Sequence, residues 1–242
     1  MKDLVQEFVE AVRPLAKQLS EFGDQVATFV RENPDFVEGL KRYFENIPDF
    51  HGEIWKKGAA LGWFPNWFMT LSYDTAVMRG QSELDRFMVD HITNHLDQLE
   101  LELINRYEKR REILETAFNL HRQGVYIASI PLFLSQSDGI CAQNIGSYLF
   151  TEHDKRGQRV SEILDQVPEE FEKILYAPMT VNTQYMAGIG KSKAEDKALA
   201  PNRSGIMHGS RKHLDYGTEI NSLKCISLLA YTAYIFDRSV KA

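Results

Sequence analysis

Cysteine is nearly absent from this chain: two residues in 242, Cys141 and Cys225, 84 positions apart. That count excludes a cysteine-based metal centre, and each lies among apolar neighbours, so both read as buried, reduced thiols. Long apolar runs are missing as well. The run from Ile127 to Leu134 is interrupted at Ser129 and falls far short of the ~20 residues that span a bilayer. The segment Met1-Lys2-Asp3-Leu4-Val5-Gln6-Glu7 carries an early acid and no continuous apolar stretch. It does not read as a signal peptide, and the expected location is the cytoplasm. A Walker A loop, a Gly-x-Gly-x-x-Gly fingerprint, a Gly-x-Ser-x-Gly elbow and a kinase signature are all missing. No segment alternates with the period of two expected of a half-buried strand, and no internal repeat emerges.

Positive charge is also scarce overall, with 28 Lys and Arg against 34 Asp and Glu and a net charge of −6. A general coat for nucleic acid is therefore disfavoured. The basic residues are unevenly placed. Between Gly188 and His213, Lys191, Lys193, Lys197, Arg203, Arg211 and Lys212 stand against only Glu195 and Asp196, a local +4 that leaves the other residues at −10. A basic patch on an acidic body suits a restricted anionic ligand, although a solvated loop has the same composition.

What fills the chain is helical periodicity. Val5, Phe8, Val12, Leu15, Leu19, Phe22, Val26 and Phe29 recur at spacings of three and four, interrupted by Pro14 and Gly23, which predicts a kinked or broken amphipathic helix. Residues 33–80 are irregular and hold all three tryptophans, Trp55, Trp63 and Trp67, expected to pin loops together as a satellite core. Leu84, Met88, Ile92, Leu96, Leu99 and Leu103 form the next stripe, with His91 and His95 beside it as boundary residues rather than a metal clip. Helices are predicted near 105–122, 125–150 and 218–238, the last capped by Thr218 and carrying Ile220, Leu223, Ile226, Ala230, Ala233 and Phe236. Residues 159–176 read as a helix or a pair broken at Pro168, and 179–200 as a mobile loop. Asp138 lies within the apolar stretch 125–150. If buried, such a carboxylate needs a cationic partner, and an arginine elsewhere in the chain is the expected one.

The remaining concentration of chemistry is Asn202-Arg203-Ser204-Gly205-Ile206-Met207-His208-Gly209. Arginine is a permanent cation with a fork that fits phosphate oxygens, and histidine exchanges a proton near neutral pH. Together near a helix start they suit cleavage of a phosphodiester. Five positions on an ideal helix separate side chains by about 140°. Both can therefore face one cleft only if Arg203 lies where the helix begins, or if a neighbouring chain completes the site.

An arginine and a histidine with four residues between them near the start of a late helix resemble the HEPN superfamily. The segment Asn202 to Leu229 is similar to the terminal part of bacterial HEPN-like proteins, and Arg110 to Ile140 resembles their first core helical pair. The resemblance spans roughly 105–242. It implies an all-α fold: a HEPN-like helical domain over 105–242, with 1–104 as an N-terminal helical region of unknown role. It further implies a homodimer that brings two Arg/His motifs into one cleft, and a metal-independent endoribonuclease without cofactor, of the kind found in toxin–antitoxin and anti-phage systems. Arg203 and His208 would be catalytic, with Asn202, Ser204 and Asp138 in support. Lys191, Lys193, Lys197, Arg211 and Lys212 would contact RNA. A cognate antitoxin or defence protein would be a natural partner. Ser204 departs from many active members, which carry Asn, Asp or His after the arginine. Other members are inactive binding or assembly modules, which is the alternative expectation.

Overall fold

The computed structural model describes residues 49–239, apart from 67–68, 70–71, 151–152, 167–169 and 191–194, together with positions 28, 31 and 34. Every regular element among the described residues is helical, as the periodicity predicts. The chain divides into two compact units, Met1–Ile47 and Pro48–Ala242, so residues 48–104 share a unit with 105–242. The apolar stripe from Val5 to Phe29 lies outside the described residues.

Helix α1 covers residues 49–60. There follow α2 (Ser72–Arg79), α3 (Gln81–Asn94), α4 (Leu96–Arg106), a 3-10 turn at Glu108–Arg110, α5 (Arg111–Arg122) and α6 (Tyr126–Ile145). The stripe around 82–103 is thus carried by two helices. The break comes at His95, whose ring Nδ1 turns back onto the His91 carbonyl at 2.8 Å. Beyond α6 come α7 (His153–Gln166), α8 (Glu170–Tyr176), a string of 3-10 turns, the short α9 (Arg203–Met207) and α10 (Glu219–Ser239).

Helix α10 is the axis of the unit. Leu223, Ile226, Leu228, Leu229, Ala230, Tyr231 and Ile235 are all buried, and so are the polar Ser222, Lys224, Ser227 and Thr232, as in a helix enclosed by others. It packs chiefly on α6 and also on α3 and α4. Helix α3 turns Leu84, Met88 and Ile92 inward, and α5 meets α6 through Phe118 and Phe133, edge to face at 5.1 Å. Thr218 caps α10 as expected, its hydroxyl accepting the Asn221 N–H at 3.3 Å.

Helix α6 runs unbroken through Pro131. A proline at that position cannot donate to the Ile127 carbonyl four residues back, and the Tyr216 hydroxyl donates to it instead at 2.9 Å. The helix ends at Gly146, whose φ of 68° is the left-handed cap conformation that glycine adopts without strain.

Two expectations need correction. Trp63 is not in a satellite cluster but wholly buried in the main core, its indole N–H donating to Asp85 at 2.6 Å. Trp55 is half-buried and donates to Asp74 at 3.0 Å, and Trp67 lies outside the described residues. The segment 179–200 is not simply a surface loop: Met179, Thr183, Gln184, Tyr185, Met186 and Ala200 are buried. Its inward residues follow no helical or strand period, so periodicity cannot register them.

Candidate active site

Helix α9 is only five residues long, so tertiary bonds rather than its own ladder must hold it. Asn202 supplies most of them. Its side-chain oxygen caps the helix by accepting the Gly205 N–H at 2.6 Å, and its amide donates to the carbonyls of Ala187 at 2.7 Å and Gln184 at 3.2 Å. The side chain thereby ties α9 to the buried turn at Gln184–Met186.

The far side of α9 rests on a histidine. A Cβ added to Gly205 would lie 2.2 Å from Cδ2 of His213 and 2.9 Å from its Nε2. Only glycine lets the backbone approach this ring. His213 is buried, and its Nε2 has no hydrogen-bond partner among the described residues. Burial and the nearby Lys197 hold it below the ordinary imidazole range, so the neutral ring packs here.

Arg203 opens α9, the position at which it can face the same cleft as a residue at the other end. Its guanidinium stands 3.7 Å from Asp138 on α6 and 5.9 Å from the Phe150 ring centroid. The partner expected for Asp138 is thus Arg203. The pairing is a loose one. At 3.7 Å it exceeds hydrogen-bond length, and the other oxygen of Asp138 already accepts the Phe150 N–H at 3.2 Å. Arg203 remains half-buried.

His208 closes α9 at the C-cap, where its backbone N–H donates to the Ser204 carbonyl at 3.2 Å. Its imidazole is exposed and has no side-chain partner among the described residues. Ser204 is half-buried, and its hydroxyl likewise makes no hydrogen bond among them. Arg203, His208, Asn202, Ser204 and Asp138 are therefore gathered around one short helix. No protein-family model matches the chain, and neither a curated protein nor a solved structure matches it significantly.

The basic residues are less uniform. Arg211 and Lys212 are exposed on the turn after α9 and form no ion pair among the described residues. Lys197 is paired with Asp215, both carboxylate oxygens lying at 3.2 Å, so its charge is largely answered. Lys191 and Lys193 lie outside the described residues. Among those described, no cluster of three or more His, Cys, Asp or Glu side chains is arranged to hold a metal ion. His91 and His95 stack on each other at 4.5 Å between centroids, and no described helix is long and apolar enough to cross a membrane.

One contributor escapes the sequence reading. Lys224, on α10, is completely buried. Its ammonium donates to the carbonyls of Leu199 at 2.7 Å and Ala198 at 3.0 Å, stands 3.6 Å from Asp85 and lies over the Trp63 ring at 5.4 Å. Burial draws it below the ordinary lysine range and Asp85 opposes that. It fastens the backbone immediately before Pro201 and Asn202, and so sets where α9 begins. In the sequence it is a single polar position between Leu223 and Cys225, with no signal of its partners.

Proposed function

We propose that this chain is a metal-independent endoribonuclease of the HEPN type, acting as a homodimer in a toxin–antitoxin or anti-phage setting. The observation that carries the reading is the pairing of chemistry on α9. An exposed imidazole with no side-chain partner among the described residues stands at one end, and a half-buried guanidinium at the other is held only loosely by Asp138. In the reaction, His208 withdraws the proton of a ribose 2′-hydroxyl and that oxygen attacks the adjacent phosphorus. The bond to the 5′-oxygen breaks, the departing oxygen gains a proton, and a 2′,3′-cyclic phosphate remains. Arg203 exchanges its long contact with Asp138 for the phosphate oxygens and stabilises their developing charge. The two residues stand at opposite ends of α9, so a second copy would set the arginine of one protomer beside the histidine of the other. Large apolar side chains exposed on either side of His208, Met207 at 50% and Leu214 at 63%, support a covered surface there.

A second reading is a non-catalytic HEPN-like binding or assembly module, and the Arg203–Asp138 contact is what favours it, since it gives the arginine a purely structural task.

Incubation with single-stranded and structured RNAs in EDTA separates the two. The wild type should cleave, His208→Ala should lose roughly 10²–10⁴-fold, and Arg203→Lys should recover only part of what Arg203→Ala loses. The variants are compared at matched helicity and sedimentation. An RNA-binding wild type that leaves every RNA intact supports the module, and equal cleavage by wild type and His208→Ala rules out this site.

A further inference from the structure

Arg110 occupies a seat built into the face of α6 without being neutralised there. Its guanidinium lies against Gly139, in the turn that carries Asp138. A Cβ at Gly139 would stand 2.9 Å from Nη1, 3.1 Å from Nη2 and 3.4 Å from Cζ. Glycine inside a helix costs stability relative to alanine, and here its absent Cβ is the space the arginine fills. Nη1 donates to Gln136 at 2.8 Å and Nη2 to Gln143 at 3.3 Å, so side chains one turn to either side orient the fork. Both acceptors are neutral amides. No carboxylate pairs with Arg110 among the described residues, nor with the exposed Arg79 and Arg211, whereas Arg86, Arg111, Arg122, Arg159 and Arg203 each have one.

A structural arginine is ordinarily held by an acid that cancels its charge. Fixing the fork with amides while leaving the charge unanswered suits an arginine that waits for an anion, because the ordering cost is met before the ligand arrives. Lys109, next in sequence, is exposed and likewise unpaired among the described residues. Arg203 reaches the same turn of α6 through Asp138.

We infer that Arg110 is a second phosphate-binding residue, taking a backbone phosphate of the RNA strand whose scissile phosphate lies at Arg203. The inference rests on the proposed ribonuclease function and extends it: the strand would run from α9 across the middle of α6, and Arg110 would set affinity and register without touching the reacting atoms.

The test is fluorescence anisotropy with a labelled single-stranded RNA, titrated at several salt concentrations on a His208→Ala background so that the strand survives. Arg110→Gln should weaken binding roughly three- to tenfold and lower the slope of log affinity against log salt by about 0.7, one phosphate contact on a single strand. Arg110→Lys should keep the slope and lose part of the affinity, because the charge stays and the fork goes. Gly139→Ala, which leaves the arginine in place but fills its seat, should weaken binding as well, and this variant carries the test if Arg110→Gln does not fold. Unchanged affinity and slope in Arg110→Gln, with binding lost in Arg203→Ala, overturns the role of Arg110 and leaves the ribonuclease reading standing. A protein with no affinity for RNA on this background overturns both.

Discussion

His121 shows how far a single side chain is committed to the folded state. It is buried at the end of α5, its Nδ1 sharing a hydrogen bond at 2.8 Å with Ser222, which in turn meets Ser129 at 3.0 Å. Burial first, and the neighbouring Arg122 second, push it down to about 4. An unfolded histidine titrates near 6.5, so between these values the unfolded chain binds the proton that the folded chain refuses. Its contribution is complete above about pH 6.5 and is lost as pH falls toward 4, at up to about 1.4 kcal/mol per pH unit. Thermal midpoints should therefore drop across that window, with His91, also lowered to about 4 by burial, acting in the same direction. His121→Gln should flatten the profile; identical profiles would contradict the assignment. Asp85 offers a second test at this scale. Asp85→Ala strands the buried Lys224 ammonium and removes the acceptor of Trp63, and should cost about 2–3 kcal/mol in urea denaturation. A cost within experimental error would show that the two carbonyls hold the lysine unaided. Residues differ in how plainly they announce such roles. Asp138 is legible, because a carboxylate inside an apolar helix demands a cation. Lys224 and Arg110 are not, since their partners are backbone carbonyls, the distant Asp85 and neutral amides that no spacing rule connects.

Among the elements, α9 is the one whose stability and chemistry are hardest to separate. Five residues cannot hold a helix by themselves, and the Asn202 cap, the Gly205–His213 contact and the Lys224 anchor together do so. Gly205→Ala should drive a methyl into the His213 ring and cost about 1–3 kcal/mol. Because the ring lies under α9, RNA cleavage should fall further than the lost stability explains. Full activity in a stably folded Gly205→Ala protein would show that the position of α9 is unimportant. The long helices were legible in outline from 3.6-residue periodicity, and Thr218 marked the start of α10 correctly. The helix through Pro131 was legible too, although the Tyr216 bond to the Ile127 carbonyl was not. The break at His95, where the ring turns back onto the His91 carbonyl, was not legible. The turns between 177 and 198 were hidden for a different reason, since they bury Tyr185 and Met186 without any repeat.

Across the unit formed by residues 48–242, one core encloses α10, and the candidate site lies where α9, α6 and the turn after α9 meet. That the fold is all-α was readable from the sequence. That Arg203 stands at the start of α9, beside Asp138, was readable only as a requirement, because the angle between positions five apart on a helix had to be resolved by placing it there. Whether this arrangement cleaves RNA as proposed shows in the chemistry of the new ends. An RNA of defined sequence is incubated with the wild-type protein in EDTA, beside a copy carrying a single 2′-deoxy sugar at the cleaved position, and the products are weighed by mass spectrometry. Attack by the 2′-hydroxyl predicts a 2′,3′-cyclic phosphate from the first RNA, no cut at the modified position in the second, and loss of both products with His208→Ala. Cleavage of the 2′-deoxy substrate at the same position, or an intact RNA in the presence of folded wild-type protein, would contradict it.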